Sequence, residues 1–192
     1  MENYLNYLIL DIETCPINMG QYETLDEEER KKLLNPIDSR IIAIGVRHNH
    51  EDTILLDENE KALLELFWKR WNELRKVGTQ IVGFNISVFD LPFLVVRSFV
   101  NNVKIVPFTL KYIVDLREKM HAYRPGHSRG TLKEFANLMG MPDIGMDGSH
   151  MAALCKAKEY SKIKHYLTND LLITDNMYKR MKDLSILDVQ KW

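Results

Sequence analysis

The sequence predicts an α/β fold, a mixed β-sheet flanked by α-helices. Two observations carry this. Three strand-like segments, Tyr4–Leu10, Arg40–Arg47 and Thr53–Leu56, lie close enough in sequence to form an antiparallel meander. After them, helical and strand-like segments alternate, which is the pattern of a sheet covered by helices.

Tyr4–Leu10 reads as a buried strand because it is largely apolar. Asp26–Leu34 is rich in acidic and basic residues and reads as a short exposed helix that Asn35-Pro36 stops. Lys61–Val77 is a helix: Leu63, Phe67, Trp71 and Leu74 recur at helical spacing, and Gly78 suits a C-cap. Thr79–Phe84 reads as a strand. Phe89–Val100 reads as a helix with Pro92 in its first turn, and Lys111–Leu116 as a last strand. Thr131–Met139 reads as a helix ending at Gly140, and Ser149–Lys158 and Tyr160–Lys182 as further helices.

The chain has 192 residues, the size of a single domain over 1–192. Its 26 Lys+Arg and 27 Asp+Glu give a formal net charge of -1. A strongly basic chain would advertise nucleic-acid binding, and this one does not. A nuclease that meets phosphate through bound cations has no need of a basic surface. Cys15 and Cys155 lack metal-site spacing and read as two free thiols suited to a reducing, cytoplasmic setting. The N-terminal segment is too short and too acidic for a secretory signal, and no apolar run approaches membrane-spanning length.

Three acidic segments stand out. In Asp11-Ile12-Glu13, residues i and i+2 of an extended chain share a face, so both carboxylates project together where Leu8-Ile9-Leu10 emerges. Crowded carboxylates repel each other, a divalent cation relieves that repulsion, and oxygen-only ligands suit Mg²⁺ or Mn²⁺. The plainer reading is a solvated strand end. In the second segment, Gly83-Phe-Asn-Ile-Ser-Val-Phe-Asp90-Leu-Pro-Phe-Leu94, Asp90 opens a helix, and taken alone it reads as an N-cap. In the third, His165-Tyr-Leu-Thr-Asn-Asp170, Tyr166 and Asp170 lie four apart and share a helix face.

In this order the three segments resemble the motifs of the DEDD exonuclease superfamily, which is DnaQ-like with an RNase H-like fold. The residues that carry the likeness are LILDIET, GFNISVFDLPFL and HYLTND, together with Thr131–Gly140 and Gly145–Ser149. Within the superfamily the chain is similar to the exonuclease domain of family B DNA polymerases and to the stand-alone predicted exonucleases like it, the DEDDy type. The resemblance runs from about Leu8 to Thr174. It implies that Asp11, Glu13 and Asp170 hold one divalent cation and that Asp11 and Asp90 hold a second. It also implies hydrolysis at the 3′ end of single-stranded DNA or RNA, with DNA favoured.

The superfamily divides by the residue that orients the attacking water, and here both forms are present. Tyr166 is four residues before Asp170 and returns to within about 40° of it on a helix, whereas His165, five before, lies about 140° away. The spacing favours Tyr166 and leaves His165 as the alternative. Asn85 and Thr14 are candidate contacts to the terminal nucleotide. Phe89 could wedge or stack a base, although core packing suits it better.

The segment 111–133 holds six Lys/Arg against two Asp/Glu, and its Tyr123–Gly130 loop could guide a single strand. The His48-x-His50 pair lacks a third ligand. Trp68 and Trp71 read as core, and Asp115 as a possible auxiliary carboxylate. A competing reading of the whole chain is a catalytically silent module that binds nucleic acid or a protein. The presence of all four acids argues against it.

Overall fold

The computed structural model describes residues 6–75, 78–124, 129–142, 144–146 and 148–191. Five strands form one mixed sheet in the order β3-β2-β1-β4-β5. They are β1 (Tyr7–Pro16), β2 (Ser39–His48), β3 (Glu51–Leu56), β4 (Gln80–Gly83) and β5 (Ile113–Asp115). The expected meander is present: β1 pairs antiparallel with β2, and β2 antiparallel with β3. On the other side β4 and β5 run parallel to β1 and to each other. The helices are α1 (Met19–Thr24), α2 (Glu27–Lys32), α3 (Glu60–Leu74), α4 (Asp90–Val100), α5 (Leu116–Met120), α6 (Leu132–Leu138), α7 (Met151–Lys156) and α8 (Tyr160–Asp183).

Strand alternation divides the core. Leu8, Leu10 and Ile12 pack with Phe67, Trp68 and Trp71 of α3 and Phe93 and Leu94 of α4. Ile9 packs with Leu171, Met177 and Tyr178 of α8 on the opposite face. Trp68 and Trp71 are core residues, and the Trp68 indole N–H donates to Ser98 Oγ at 2.8 Å. Among the described residues, no helix is long and apolar enough to cross a membrane.

Several expectations need correction. β1 does not end at Leu10 but continues to Pro16, so Asp11 and Glu13 lie inside the strand. The strand continues because β2 pairs with it along its length, whereas β4 pairs only with Tyr7–Ile9. Helix α3 ends at Leu74 and not at Val77, with Arg75 as its C-cap, so Gly78 (φ 83°) belongs to the link into β4. The last strand is three residues long, flanked by a 3₁₀ turn at Leu110–Tyr112 and by α5, because Asp115 caps the new helix. Cys15 and Cys155 are not free thiols. They form a disulfide, since Cys15 projects from β1 into the cluster that holds α7. The cytoplasmic expectation loses that support.

Candidate active site

Asp11 and Glu13 share the face of β1 that carries Ile9, so they point at α8. Helix α8 presents Tyr166 and Asp170 one turn apart, both buried. The close approach of α8 depends on Gly45, which lies directly opposite Asp11 on β2. A Cβ at Gly45 would come within 2.9 Å of Leu167 Cγ and of Leu171 Cδ1. The result is a set of carboxylate oxygens from Asp11, Glu13 and Asp170 within 4.8 Å of one another.

Asp90 arrives from the other helical layer. It is the first residue of α4, and the cap position is occupied by Phe89 without a side-chain cap bond. Its Oδ1 instead accepts from the Ile12 N–H at 3.0 Å, across 78 residues of sequence. That N–H lies on β1 beyond the last residue paired with β4, so the carboxylate supplies an acceptor where the sheet has ended. Asp90 and Asp11 share a hydrogen bond.

Burial is the first cause of every shift in the cluster. It pushes Asp11 well above the usual carboxylate range, and the charges of Asp90, Glu13 and Asp170 add to the rise. Glu13 is raised strongly by burial and then by Asp170 and Asp90. Asp90 is pushed up to about 7 by burial, against the pull of the backbone N–H groups that it accepts from. Burial also raises Asp170, against the opposing charge of Lys133. The Tyr166 phenol is buried, hydrogen-bonded to Asp170, and raised far above its ordinary value.

The other sequence candidates fall into place as follows. His165 is exposed, while Tyr166 faces the acids. Thr14 is buried beside a register shift in the β1–β2 ladder. Asn85 has a left-handed backbone (φ 60°), and its amide oxygen accepts from the Arg117 guanidinium at 3.1 Å. Phe89 packs on Phe93, with ring centres 4.8 Å apart. Asp115 is not an added ligand: its oxygens accept from the N–H groups of Asn85 (3.0 Å), Ser87 (2.9 Å) and Arg117 (3.0 Å). His48 bonds to Asn6, and His50 lies in the turn that follows. Within the Tyr123–Gly130 loop, 125–128 fall outside the described residues.

One residue at the site escaped the sequence reading. Lys133 of α6 makes an ion pair with Asp170, and its ammonium lies 4.5 Å from the centre of the Tyr166 ring. The Thr131–Glu134 capping box, which fixes the start of α6, was the signal available for placing it.

The fold is α/β and is shared with part of a family B DNA polymerase. The family B DNA polymerase of Pyrobaculum calidifontis superposes with a TM-score of 0.69 at 16% identity, over 95% of this chain. At that identity the likeness speaks for the fold, and this chain spans only 25% of the polymerase's length. An uncharacterized protein of Methanocaldococcus jannaschii is 35% identical over 168 residues, covering 81% of this chain and 93% of that protein. Residues 34–111 and 108–188 match the family described as predicted 3′-5′ exonucleases related to the exonuclease domain of PolB, and the chain belongs to that family. The matched stretches hold Asp90, Tyr166 and Asp170. Asp11 and Glu13 precede them.

Proposed function

We propose that this protein is a metal-dependent 3′→5′ exonuclease that hydrolyses phosphodiester bonds at the 3′ ends of single-stranded nucleic acid, DNA in preference to RNA. The observation that carries the reading is the convergence of Asp11, Glu13 and Asp170, with oxygens within 4.8 Å, beside a buried Asp90 that bonds to Asp11. Oxygens bound to one Mg²⁺ at about 2.1 Å stand roughly 3–4 Å apart, so a small closure of this set would accommodate the ion. The donors are all carboxylates, which suits Mg²⁺ or Mn²⁺. The strong upward shifts also fit: burial, and after it the neighbouring carboxylates, disfavour the charged forms that a divalent cation would stabilise.

Asp11, Glu13 and Asp170 would hold one cation, and Asp11 with Asp90 a second. When bound, the pair supplies the positive charge that activates water and stabilises the leaving 3′ oxygen. Tyr166 would orient the water or the scissile phosphate through its phenol O–H. Its raised pKa excludes it as a base at neutral pH. His165 is exposed on α8. Asn85, Thr14 and Phe89 are the residues proposed to meet the terminal nucleotide.

The test is digestion of 5′-labelled single-stranded DNA and RNA with Mg²⁺, Mn²⁺ or chelator, beside Asp11→Ala. A 3′-shortening ladder is expected, stronger on DNA, and abolished by chelator and by the substitution. A ladder that survives either would overturn the two-cation reading. No ladder on either polymer would favour the silent module.

A further inference from the structure

Lys133 places a positive charge inside the set of acids. Its stem crosses from α6 toward α8, its side chain is 18% exposed, and the partner carboxylate of Asp170 is 8% exposed. The ammonium is close enough to lower the proton affinity of both Asp170 and Glu13. It also lies over the Tyr166 ring. α6 is held in position by its capping box, and Phe135 packs on Phe84, with ring centres 5.9 Å apart. A Cβ on Gly130 (φ 120°) would come within 2.6 Å of Phe135 Cε2, so the turn into α6 packs closely on that ring. Capping and packing therefore place the backbone that carries Lys133, while its four-carbon stem has rotatable bonds.

A lysine ammonium and a divalent cation at the same Asp170 oxygen would repel each other and compete for its negative charge. We infer that Lys133 is a resident counter-cation: it neutralises Asp170 in the metal-free protein, is displaced by the incoming divalent cation, and then offers its ammonium to a phosphate of the nucleic acid. The inference rests on the proposed two-cation site and deepens it. It gives the protein a means of keeping buried acids folded without metal. The cost is weaker metal affinity, and the released charge remains at the mouth of the site, where a phosphate would arrive.

The probe is Ca²⁺ alone, titrated calorimetrically into the wild type, Lys133→Met and Lys133→Arg. Lys133→Met is expected to bind Ca²⁺ roughly tenfold more tightly and to melt at a lower temperature in chelator but not in saturating Ca²⁺. Lys133→Arg should stay near the wild type. Unchanged or weaker Ca²⁺ affinity in Lys133→Met would overturn the displacement. Should that variant not fold without cation, Lys133→Gln is titrated in its place with the same criterion. In saturating Ca²⁺, binding of a ten-nucleotide single strand to Lys133→Met should weaken several-fold, with the slope of log K on log salt smaller by about 0.7. An unchanged slope would overturn the transfer to phosphate. A wild type that takes up no Ca²⁺ would instead sink the two-cation reading itself, which keeps the two failures distinct.

Discussion

Glu60 and the acids around Asp11 are buried to a similar degree, yet the fold treats them in opposite ways. Both oxygens of Glu60 are satisfied. Oε1 accepts from the Ile41 N–H (2.7 Å) and Arg97 Nε (2.9 Å), and Oε2 from Arg97 Nη2 (2.6 Å) and Asn101 Nδ2 (2.9 Å). One carboxylate thus meets one guanidinium and two further donors. Around Asp11, among the described residues, four carboxyls face one ammonium, that of Lys133 on Asp170, together with the Tyr166 phenol and the backbone N–H groups of Ile12 and Asp90. Burial alone therefore does not mark a working site in this molecule. Burial with charge left unbalanced singles out the candidate site, because repulsion kept in place by the fold is what a bound cation would relieve.

The contrast can be broken from either side. The largest effect is expected at the unbalanced site: Asp11→Asn should lower nuclease turnover by about a thousandfold or more. The same substitution should leave the melting temperature in chelator unchanged or higher, since it removes one of the repelling charges. Glu60→Gln should behave in the opposite way. It strands Arg97 in the interior and should cost about 3–5 kcal/mol in urea unfolding, with turnover per folded molecule preserved.

Acidity sharpens the comparison further. A carboxyl pushed up to about 7 in the folded chain, as Asp90 is, binds more protons there than in the unfolded chain, where its pKa is near 4. Its contribution to stability is complete below about pH 4 and is lost as pH rises toward 7. The chelated wild type should therefore lose stability across that window relative to Asp90→Asn, as read from paired melting curves. Saturating cation should flatten the difference. The smallest effect is expected at Gly45→Ala, about 1–3 kcal/mol of destabilisation from the clash with Leu167 and Leu171. It should be accompanied by weaker cation binding, because α8 must lift away from Asp11.

What was legible in the sequence was local. The i, i+2 spacing of Asp11 and Glu13 and the one-turn spacing of Tyr166 and Asp170 fix which side chains share a face, whatever lies across from them. The meander and the long α8 follow from periodicity in the same way. The features that escaped depend on distant partners. Asp90 reads as a cap because the Ile12 N–H that it serves is 78 residues away. β1 seemed to stop at Leu10 because its apolar run stops there, although pairing with β2 carries it on to Pro16. The Cys15–Cys155 bond spans 140 residues, a pairing that no spacing rule anticipates. Lys133 counted as one cation in a basic stretch until α6 and α8 were brought together.

The placement of the acids also bears on how the protein matures. β1 carries two of the acids, and both of its sheet neighbours and the remaining acids follow it in the chain. Helix α8 is synthesised late and closes the cluster only when it docks on the strand opposite Gly45. A chain lacking α8 would lack Tyr166 and Asp170. Assembly of the acidic cluster is thereby tied to completion of the fold.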